Sequence, residues 1–174
     1  MDAQAVIKSL DFTLLNHEAT EDELEGFVAR ANSSEVGAVC VFSEHAEFVK
    51  EQLNPEIKLA VVAAGFPIGS SDINEISHAI SSAVESGVDE IDVVLEPRKE
   101  ENFPNENELE LLKEMRSAAG ECVLKVILET PLYRNEKCEQ LLEWLLQQGW
   151  ISSKPAPVNV EAAVMMQRQF SLTK

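Results

Sequence analysis

The sequence predicts an α/β fold of parallel strands, an incomplete (β/α) barrel of the TIM type. Within 174 residues, short runs rich in β-branched residues alternate about six times with amphipathic stretches, and this pattern is typical of βα units. No GxGxxG or GxxxxGK loop follows a predicted strand, which disfavours the competing architecture, a doubly wound nucleotide-binding sheet. Acidic residues and lysines occur inside the strands, and the interior and rim of a barrel carry such side chains.

The first half of the chain predicts three βα units. The predicted strands are Asp11–Leu15, Gly37–Phe42 and Ile57–Ala64, and the predicted helices are Glu21–Ala31, Glu44–Leu53 and 73–86. Thr20, followed three residues later by Glu23, fits a capping box for the first helix. Ser43 is expected to cap the second helix, and Ser71 or Asp72 the third.

The second half predicts three more units in the same single domain, residues 1–174. The strands are Glu90–Leu95, Cys122–Leu128 and Trp150–Lys154, and the helices are Asn107–Ala119, Asn135–Gln148 and Val160–Phe170. Residues 96–106 contain two prolines and much charge, so we expect a loop over the site or a solvated insertion. A TIM barrel has eight units in roughly 250 residues, so we expect the last two to be missing and two strand edges to be open.

The charge and the cysteine content exclude several classes of function. Thirty-one acidic against fourteen basic residues give a formal net charge of -17, so no basic surface is expected for nucleic acid or an anionic membrane. No segment reaches the roughly 18 apolar residues of a membrane span, and Met1–Leu10 does not resemble a signal peptide. The three widely spaced cysteines indicate reduced thiols of a cytoplasmic protein and no metal site. The three histidines show no ligand spacing and are expected at the surface or as helix caps.

Two of the predicted strands direct charged side chains toward the same space. Side chains alternate between the two faces of a strand, so Asp92 shares its face with Glu90, and Lys125 shares its face with Glu129. If the two strands are neighbours, Asp92 and Lys125 lie within about 4–6 Å of each other, the range over which a charged pair shifts pKa values. Such a pair is either a buried ion pair of a barrel core or an acid/base site.

Five segments of the sequence, in their order and spacing, resemble the deoxyribose-phosphate aldolase family. They read LDFTLLNHEAT, AVCVFSEH, GFPIGSSD, SGVDEIDVVL and LKVILET, and the resemblance covers roughly residues 9–170. Members of that family are (β/α)₈ barrels that cleave 2-deoxyribose 5-phosphate to glyceraldehyde 3-phosphate and acetaldehyde through a lysine Schiff base, without a metal or other cofactor. The resemblance therefore implies a lyase of carbohydrate and deoxyribonucleotide catabolism that acts on a small phosphorylated sugar.

The resemblance also implies roles for individual residues. Asp92 matches the aspartate that relays protons, because a retro-aldol reaction needs a carboxylate that moves protons at the hydroxyl and at the enamine carbon. Lys125 matches the lysine of the fifth strand, close to the imine. Asp11 and Cys40 match positions on the first two strands that line the substrate pocket, although a small buried hydrophobe is the alternative for Cys40.

Lys154 is the candidate for the imine lysine, on the predicted sixth strand. A gap-free count from Gly149 places it on the nucleophile of the family's G-A-D-F-I-K-T-S-T-G run. Anchoring the alignment on Ile151 and the two serines after it instead deletes the nucleophile and makes Lys154 a loop lysine. The family's seventh strand, which bears a lysine, and both phosphate-binding loops have no counterpart, so we expect little activity on 2-deoxyribose 5-phosphate.

Three functions remain open at the level of sequence. The first is an aldolase of this family, weakly active or completed by a partner chain. The second is a catalytically inactive remnant or binding module with the same fold, and the third is a different Schiff-base or acid/base enzyme on a similar half-closed barrel. The open strand edges predict that another copy of the chain, or its own tail, covers them.

Overall fold

The computed structural model describes residues 3–95, 105–127 and 135–147, in which helices alternate with strands. The strands are β1 (Asp11–Leu14), β2 (Ala38–Phe42), β3 (Lys58–Ala63), β4 (Glu90–Val94) and β5 (Val123–Ile127). The helices are α1 (Ala3–Ile7), α2 (Glu21–Ser34), α3 (Ala46–Gln52), α4 (Ile73–Glu85), α5 (Glu106–Ala119) and α6 (Asn135–Gln147). From β1 to α6 this is the α/β succession that the sequence predicts, and the short helix α1 before the first strand is an addition to it.

All five described strands are parallel and lie in one sheet, in the order β1-β2-β3-β4-β5. In a doubly wound sheet the strand order reverses near the middle, whereas in a TIM-type barrel each strand pairs with the next one along the chain. The sequential order therefore decides between the two architectures in favour of the incomplete (β/α) barrel.

The sheet is strongly curved. Lys125 Nζ on β5 lies 2.7 Å from Asp11 Oδ2 on β1, although these strands are at opposite edges of the sheet. In a flat sheet, a spacing of about 4.8 Å between neighbours would hold the backbones of β1 and β5 about 19 Å apart, too far for a lysine and an aspartate to meet. The edge strands therefore bend toward each other, and the concave face of the sheet is the inside of a barrel.

The convex face of the sheet packs against the helices and forms the main hydrophobic core. Its strand residues are almost inaccessible to solvent: Val39, Val41, Leu59, Val61, Ile91, Val93, Leu124 and Val126. They belong to one cluster with Phe27 of α2, Ile76 and Ile80 of α4, and Leu112 and Met115 of α5. Each large side chain buried in this way contributes about 1.5–3 kcal/mol relative to an exposed one, so this layer fixes which face of each strand points inward.

The concave face is divided between an apolar half and a charged half. The apolar half comes from β2 and β3, with two flanking loop residues, and consists of Cys40, Phe42, Ala60, Val62, Leu15 and Phe66. The charged half comes from β4 and β5, where Asp92 and Lys125 are only 2% and 4% exposed. Because a buried charge is unfavourable unless it is paired, the charged half requires partners.

Side-chain caps mark the starts of three helices, α2, α4 and α5. Thr20 and Glu23 form the predicted capping box of α2, in which each side chain accepts a hydrogen bond from the other residue's backbone N–H. Asp72, and not Ser71, caps α4 by accepting two backbone N–H groups of its first turn. The structure adds a second capping box, at the start of α5, between Asn105 and the residue three positions later.

Ser43 does not cap a helix, contrary to the prediction. Its hydroxyl donates to the backbone carbonyl of Val62 on the neighbouring strand, at 3.3 Å, and no side chain caps the start of the turn that follows β2 or the start of α3. Residues Ser43–His45 form a 3₁₀ turn, and α3 begins at Ala46 rather than at Glu44.

Three predicted segments lie outside the described residues. They are most of the loop after β4, the sixth strand and the last helix, that is, residues 96–104, Trp150–Lys154 and Val160–Phe170. Within the described ranges, no helix combines the length and the apolar character needed to cross a membrane.

Candidate active site

Four charged side chains meet on the concave face of the sheet. Lys125 Nζ lies 2.7 Å from Asp11 Oδ2, 2.9 Å from Asp92 Oδ1 and 3.0 Å from Glu90 Oε2. The contact with Asp11 is a hydrogen bond. Asp92 Oδ1 has no hydrogen-bond partner among the described residues, so its contact with Lys125 is an ion pair whose angles are poor for a hydrogen bond. The prediction that Asp92 and Lys125 face each other inside the sheet is confirmed.

Strand register and sheet curvature place these four residues. Asp92 and Lys125 are direct partners in the pairing of β4 with β5. Glu90 lies two positions before Asp92, so it faces the same way. Asp11 opens β1 and reaches the cluster across the barrel, because the curved sheet brings its two edges together.

The surroundings of Lys125 favour its protonated form. Burial alone would lower the pKa of Lys125, but the charge of Asp92 opposes it, together with the hydrogen bond that Lys125 donates to Asp11 and the charge of Glu90. The effect of these carboxylates is larger than that of burial, so the pKa of Lys125 is raised above its usual range. A neutral amine is the nucleophile in imine formation, whereas these contacts favour Lys125 as a cation paired with carboxylates.

Asp92 titrates close to neutral pH. Burial raises the pKa of Asp92, the positive charge of Lys125 offsets part of that rise, and the negative charges of Asp11 and Glu90 add to it, so that the pKa of Asp92 is about 6. A carboxyl group with a pKa near the working pH both accepts and releases a proton readily. This side chain therefore has the proton affinity that an acid/base relay requires.

The cluster as a whole is negative, since three carboxylates surround one ammonium. The charge of Lys125 is therefore more than balanced by its own partners. A further amine placed beside this cluster would meet a net negative field, which favours the protonated form of an amine. Among the described residues, then, Lys125 is not a source of positive field for lowering the pKa of another lysine.

Comparison with known proteins identifies the family. Residues 5–163 match the family model described as DeoC/LacD family aldolase. The chain belongs to this aldolase family. A deoxyribose-phosphate aldolase of Mycoplasmopsis synoviae (strain 53) is 34% identical over 143 residues, which are 80% of this chain and 64% of that protein.

Solved structures agree with the fold. The structure of QR15, an aldolase, matches with a TM-score of 0.74 and 28% identity, over 83% of this chain and 64% of that one. A deoxyribose phosphate aldolase from Aeropyrum pernix, described as a unique tetrameric structure, matches with a TM-score of 0.66 and 23% identity, over 84% of this chain and 62% of that one. The chain thus spans less than two thirds of the length of these relatives.

Cys40 joins the apolar and the charged halves of the concave face in this member of the aldolase family. Its thiol donates to Asp92 Oδ2 at an S–O distance of 3.9 Å, and its neighbours on the apolar side include Ala60 and Val62. Burial, and then the charge of Asp92, raise the pKa of Cys40 far above its usual range. The side chain therefore behaves as a protonated, buried thiol that contacts the site, which fits both interpretations of its residue type.

We expect Cys40 to resist alkylation in the native protein, because the reactive species is the thiolate and burial suppresses it. Treatment with iodoacetamide near neutral pH, followed by peptide mass mapping, is expected to label Cys40 at least about tenfold more slowly than in urea-unfolded protein. Native labelling at the rate of the unfolded chain would show that the thiol is neither buried nor held protonated.

Histidine side chains connect the loop that follows β1 with β2 and the turn after it, through ring stacking, an ion pair and a hydrogen bond. The ring of His17 stacks on Phe42 with centroids 3.5 Å apart, and its Nδ1 pairs with Glu44. His45, expected at the surface or as a cap, occupies the N-cap position of α3 but makes no capping hydrogen bond with its side chain. The side chain is buried, and its Nε2 is hydrogen-bonded to the backbone carbonyl of Asn16 at 3.0 Å. These contacts depend on tertiary packing between two loops, so spacing along the chain did not reveal them.

The structure brings together four of the five predicted site residues, and the fifth is Lys154. Asp11, Asp92 and Lys125 form the charged cluster, and Cys40 contacts its edge. Lys154 lies outside the described residues, so neither alignment of that lysine is tested. Glu90 was not among the predicted site residues, and its signal was the Glu-x-Asp spacing on one face of β4. No group of three or more potential metal ligands occurs in the described part of the chain.

Proposed function

We propose that this protein is a Schiff-base aldolase of the deoxyribose-phosphate aldolase type, a lyase that cleaves 2-deoxyribose 5-phosphate to glyceraldehyde 3-phosphate and acetaldehyde. One observation carries the proposal. A buried aspartate with a pKa of about 6, Asp92, is paired with the ammonium of Lys125 on the inner face of a curved parallel sheet, in a chain of the aldolase family.

The reaction divides into steps that need an amine and a proton relay. A neutral lysine amine adds to the aldehyde carbon of the sugar and, with uptake of one proton from solvent and loss of water, gives a protonated imine. Asp92 removes the proton of the hydroxyl at C3, the bond between C2 and C3 breaks, and its electron pair moves into the imine to leave an enamine and glyceraldehyde 3-phosphate. Asp92 then returns the proton to C2 of the enamine, and water releases acetaldehyde and the free lysine.

We assign the amine to Lys154 and the orientation of Asp92 to Lys125 and Asp11. The raised pKa of Lys125 supports this division, because a lysine that stays charged holds a carboxylate in place and does not attack a carbonyl. The gap-free alignment of the sixth strand supports Lys154. Since the described cluster is net negative, imine formation at Lys154 is expected to be slow at neutral pH and faster at alkaline pH, where more of the amine is neutral.

A borohydride trap tests the proposal. Incubation of the protein with acetaldehyde and sodium borohydride is expected to add the mass of one ethyl group in intact mass spectrometry, and peptide mapping is expected to place it on Lys154. Two variants, Lys154→Met and Lys154→Arg, are expected to lose the adduct, because neither offers an amine that forms an imine, although the second keeps the positive charge. The control is Lys58→Met, which removes an exposed lysine and is expected to keep the adduct.

The outcomes separate the alternatives. An adduct that survives in both Lys154 variants places the nucleophile on another lysine. Absence of an adduct in every form, including the wild type above about pH 9 where amines are substantially neutral, leaves a scaffold without this chemistry.

We further propose that the partners are small phosphorylated sugars and aldehydes, with no nucleic acid and no membrane, in the cytoplasm. The net charge of -17 argues against binding to nucleic acid or to an anionic membrane. The three widely spaced cysteines support a cytoplasmic location. Within the described part of the sheet, β1 pairs only with β2 and β5 only with β4. We propose that two or more copies of the chain associate as a homo-oligomer that covers these edges.

A further inference from the structure

Glu90 is the third carboxylate on the Lys125 ammonium. Its Oε2 lies 3.0 Å from Lys125 Nζ, a distance comparable with the 2.9 Å contact from Asp92 Oδ1. The Glu90 side chain is only 20% exposed, so little water screens its charge. Asp92 and Glu90 therefore compete for the same positive charge from one face of one strand.

We infer that Glu90 is a positioning residue of the site. Its negative charge offsets part of the attraction between Lys125 and the Asp92 carboxylate and so helps to keep the Asp92 carboxyl able to accept a proton. This inference rests on the proposed function, in which Asp92 accepts and returns a proton. Burial is the largest cause of the raised pKa of Asp92, and the charge of Glu90 adds to it. Both oppose Lys125, since an opposite charge at 2.9 Å stabilises a carboxylate.

Titratable groups face Asp92 from three other strands on the concave face. Asp11 faces it from β1, Cys40 from β2 and Lys125 from β5. On its own strand, β4, the charged neighbour is Glu90. The inward residues of β3, Ala60 and Val62, carry no titratable group. Lys125 and the hydrogen bond from the Cys40 thiol stabilise the Asp92 carboxylate, while burial and the carboxylates of Asp11 and Glu90 oppose its ionisation.

The substitution Glu90→Gln gives an effect of known sign. It keeps the size of the side chain and removes its charge. The Asp92 carboxylate then loses a repulsive neighbour, and one fewer carboxylate competes with it for contact with the Lys125 ammonium. Both changes stabilise the ionised form, so the pKa of Asp92 should fall by about one unit. A role of Glu90 in packing alone would not move the Asp92 titration in this direction.

The test is the titration of the Asp92 carboxyl carbon by NMR, in full-length protein labelled with ¹³C in its aspartate side chains. We expect the Asp92 midpoint to move about one unit to lower pH in Glu90→Gln. The control Glu110→Gln removes the same charge from the exposed face of α5 and should leave the midpoint in place. Glu90→Asp retains the charge but withdraws it by one methylene group, so it should give a smaller shift of the same sign.

An Asp92 midpoint that stays constant or rises in Glu90→Gln overturns the inference. If that variant does not fold, a constant or raised midpoint in Glu90→Asp overturns it equally. In the cleavage assay, the acid limb of the kcat profile should move with the midpoint while KM stays unchanged. The expected NMR shift in a protein without aldolase turnover would uphold the electrostatic role of Glu90 and reject the proposed function, so the two failures are distinguishable.

Discussion

Replacement of Lys125 by methionine is expected to destabilise the protein by about 3–5 kcal/mol at pH 7, because it leaves buried carboxylates without their cation. Lys125 is 4% exposed and is in contact with Asp11, Glu90 and Asp92. Methionine has a similar length and fills the space, so the loss arises from the uncompensated negative charges and not from a cavity.

The loss should shrink as the pH falls. Asp92 has a folded-state pKa raised from 3.8 to about 6, so its folded form binds more protons than its unfolded form between these values. Stability from this group is therefore greatest at low pH and falls as the pH rises through that window. Removal of Lys125 raises the pKa of Asp92 further, which enlarges the loss at neutral pH and leaves it small near pH 4, where the carboxyl is protonated in the folded variant.

Urea unfolding of the two proteins at about pH 7 and about pH 4–5 measures this effect. The matched control is Lys58→Met, which breaks a pair with Asp89 at 3.3 Å in which both side chains are about half exposed; pairs of this kind contribute about 0–1 kcal/mol. An equal loss in the two variants, or a loss in Lys125→Met that does not depend on pH, would contradict the assignment of Lys125 as the cation of a buried cluster.

Replacement of Asp92 by asparagine is expected to lower the rate of sugar cleavage by about 10²–10⁴-fold, the usual contribution of a general acid/base. Asparagine has the shape of the aspartate but takes up no proton, so the C3 hydroxyl and the enamine carbon lose their relay. Imine formation at a lysine amine does not require that relay to carbon, so the borohydride adduct should persist.

The rate of aldehyde formation in Asp92→Asn and in the control Asp89→Asn measures this contribution. Asp89 immediately precedes β4, and its carboxylate accepts from the backbone N–H of Leu59 at 2.9 Å and pairs with exposed Lys58. Its neutralisation should change the rate by no more than about twofold, as is usual for substitutions away from a site. Full activity in Asp92→Asn, or loss of the adduct together with the activity, would assign Asp92 a structural role.

The sequence was sufficient for the features that depend on local periodicity. The two-residue alternation in β4 and β5 placed Asp92 and Lys125 on one face, and parallel pairing of consecutive strands then made them partners. The capping box at Thr20 was equally readable, because all of its hydrogen bonds fall within four residues.

Features that depend on tertiary structure could not be read in the same way. The approach of Asp11 to Lys125 requires the curvature of the whole sheet, and only the family resemblance pointed to Asp11. The hydroxyl of Ser43 bonds to a neighbouring strand, which no local pattern encodes. The pKa of Asp92 is set first by burial, a property of the assembled barrel.

Exchange of the methyl protons of acetaldehyde in D₂O, followed by ¹H NMR, tests the central claim most directly, since this exchange requires an imine and a relay at carbon but neither phosphate binding nor cleavage of a carbon–carbon bond. We predict that the wild-type protein accelerates deuterium incorporation and that Asp92→Asn abolishes the acceleration while its borohydride adduct remains. Exchange at the wild-type rate in Asp92→Asn would contradict the claim that Asp92 is the proton relay.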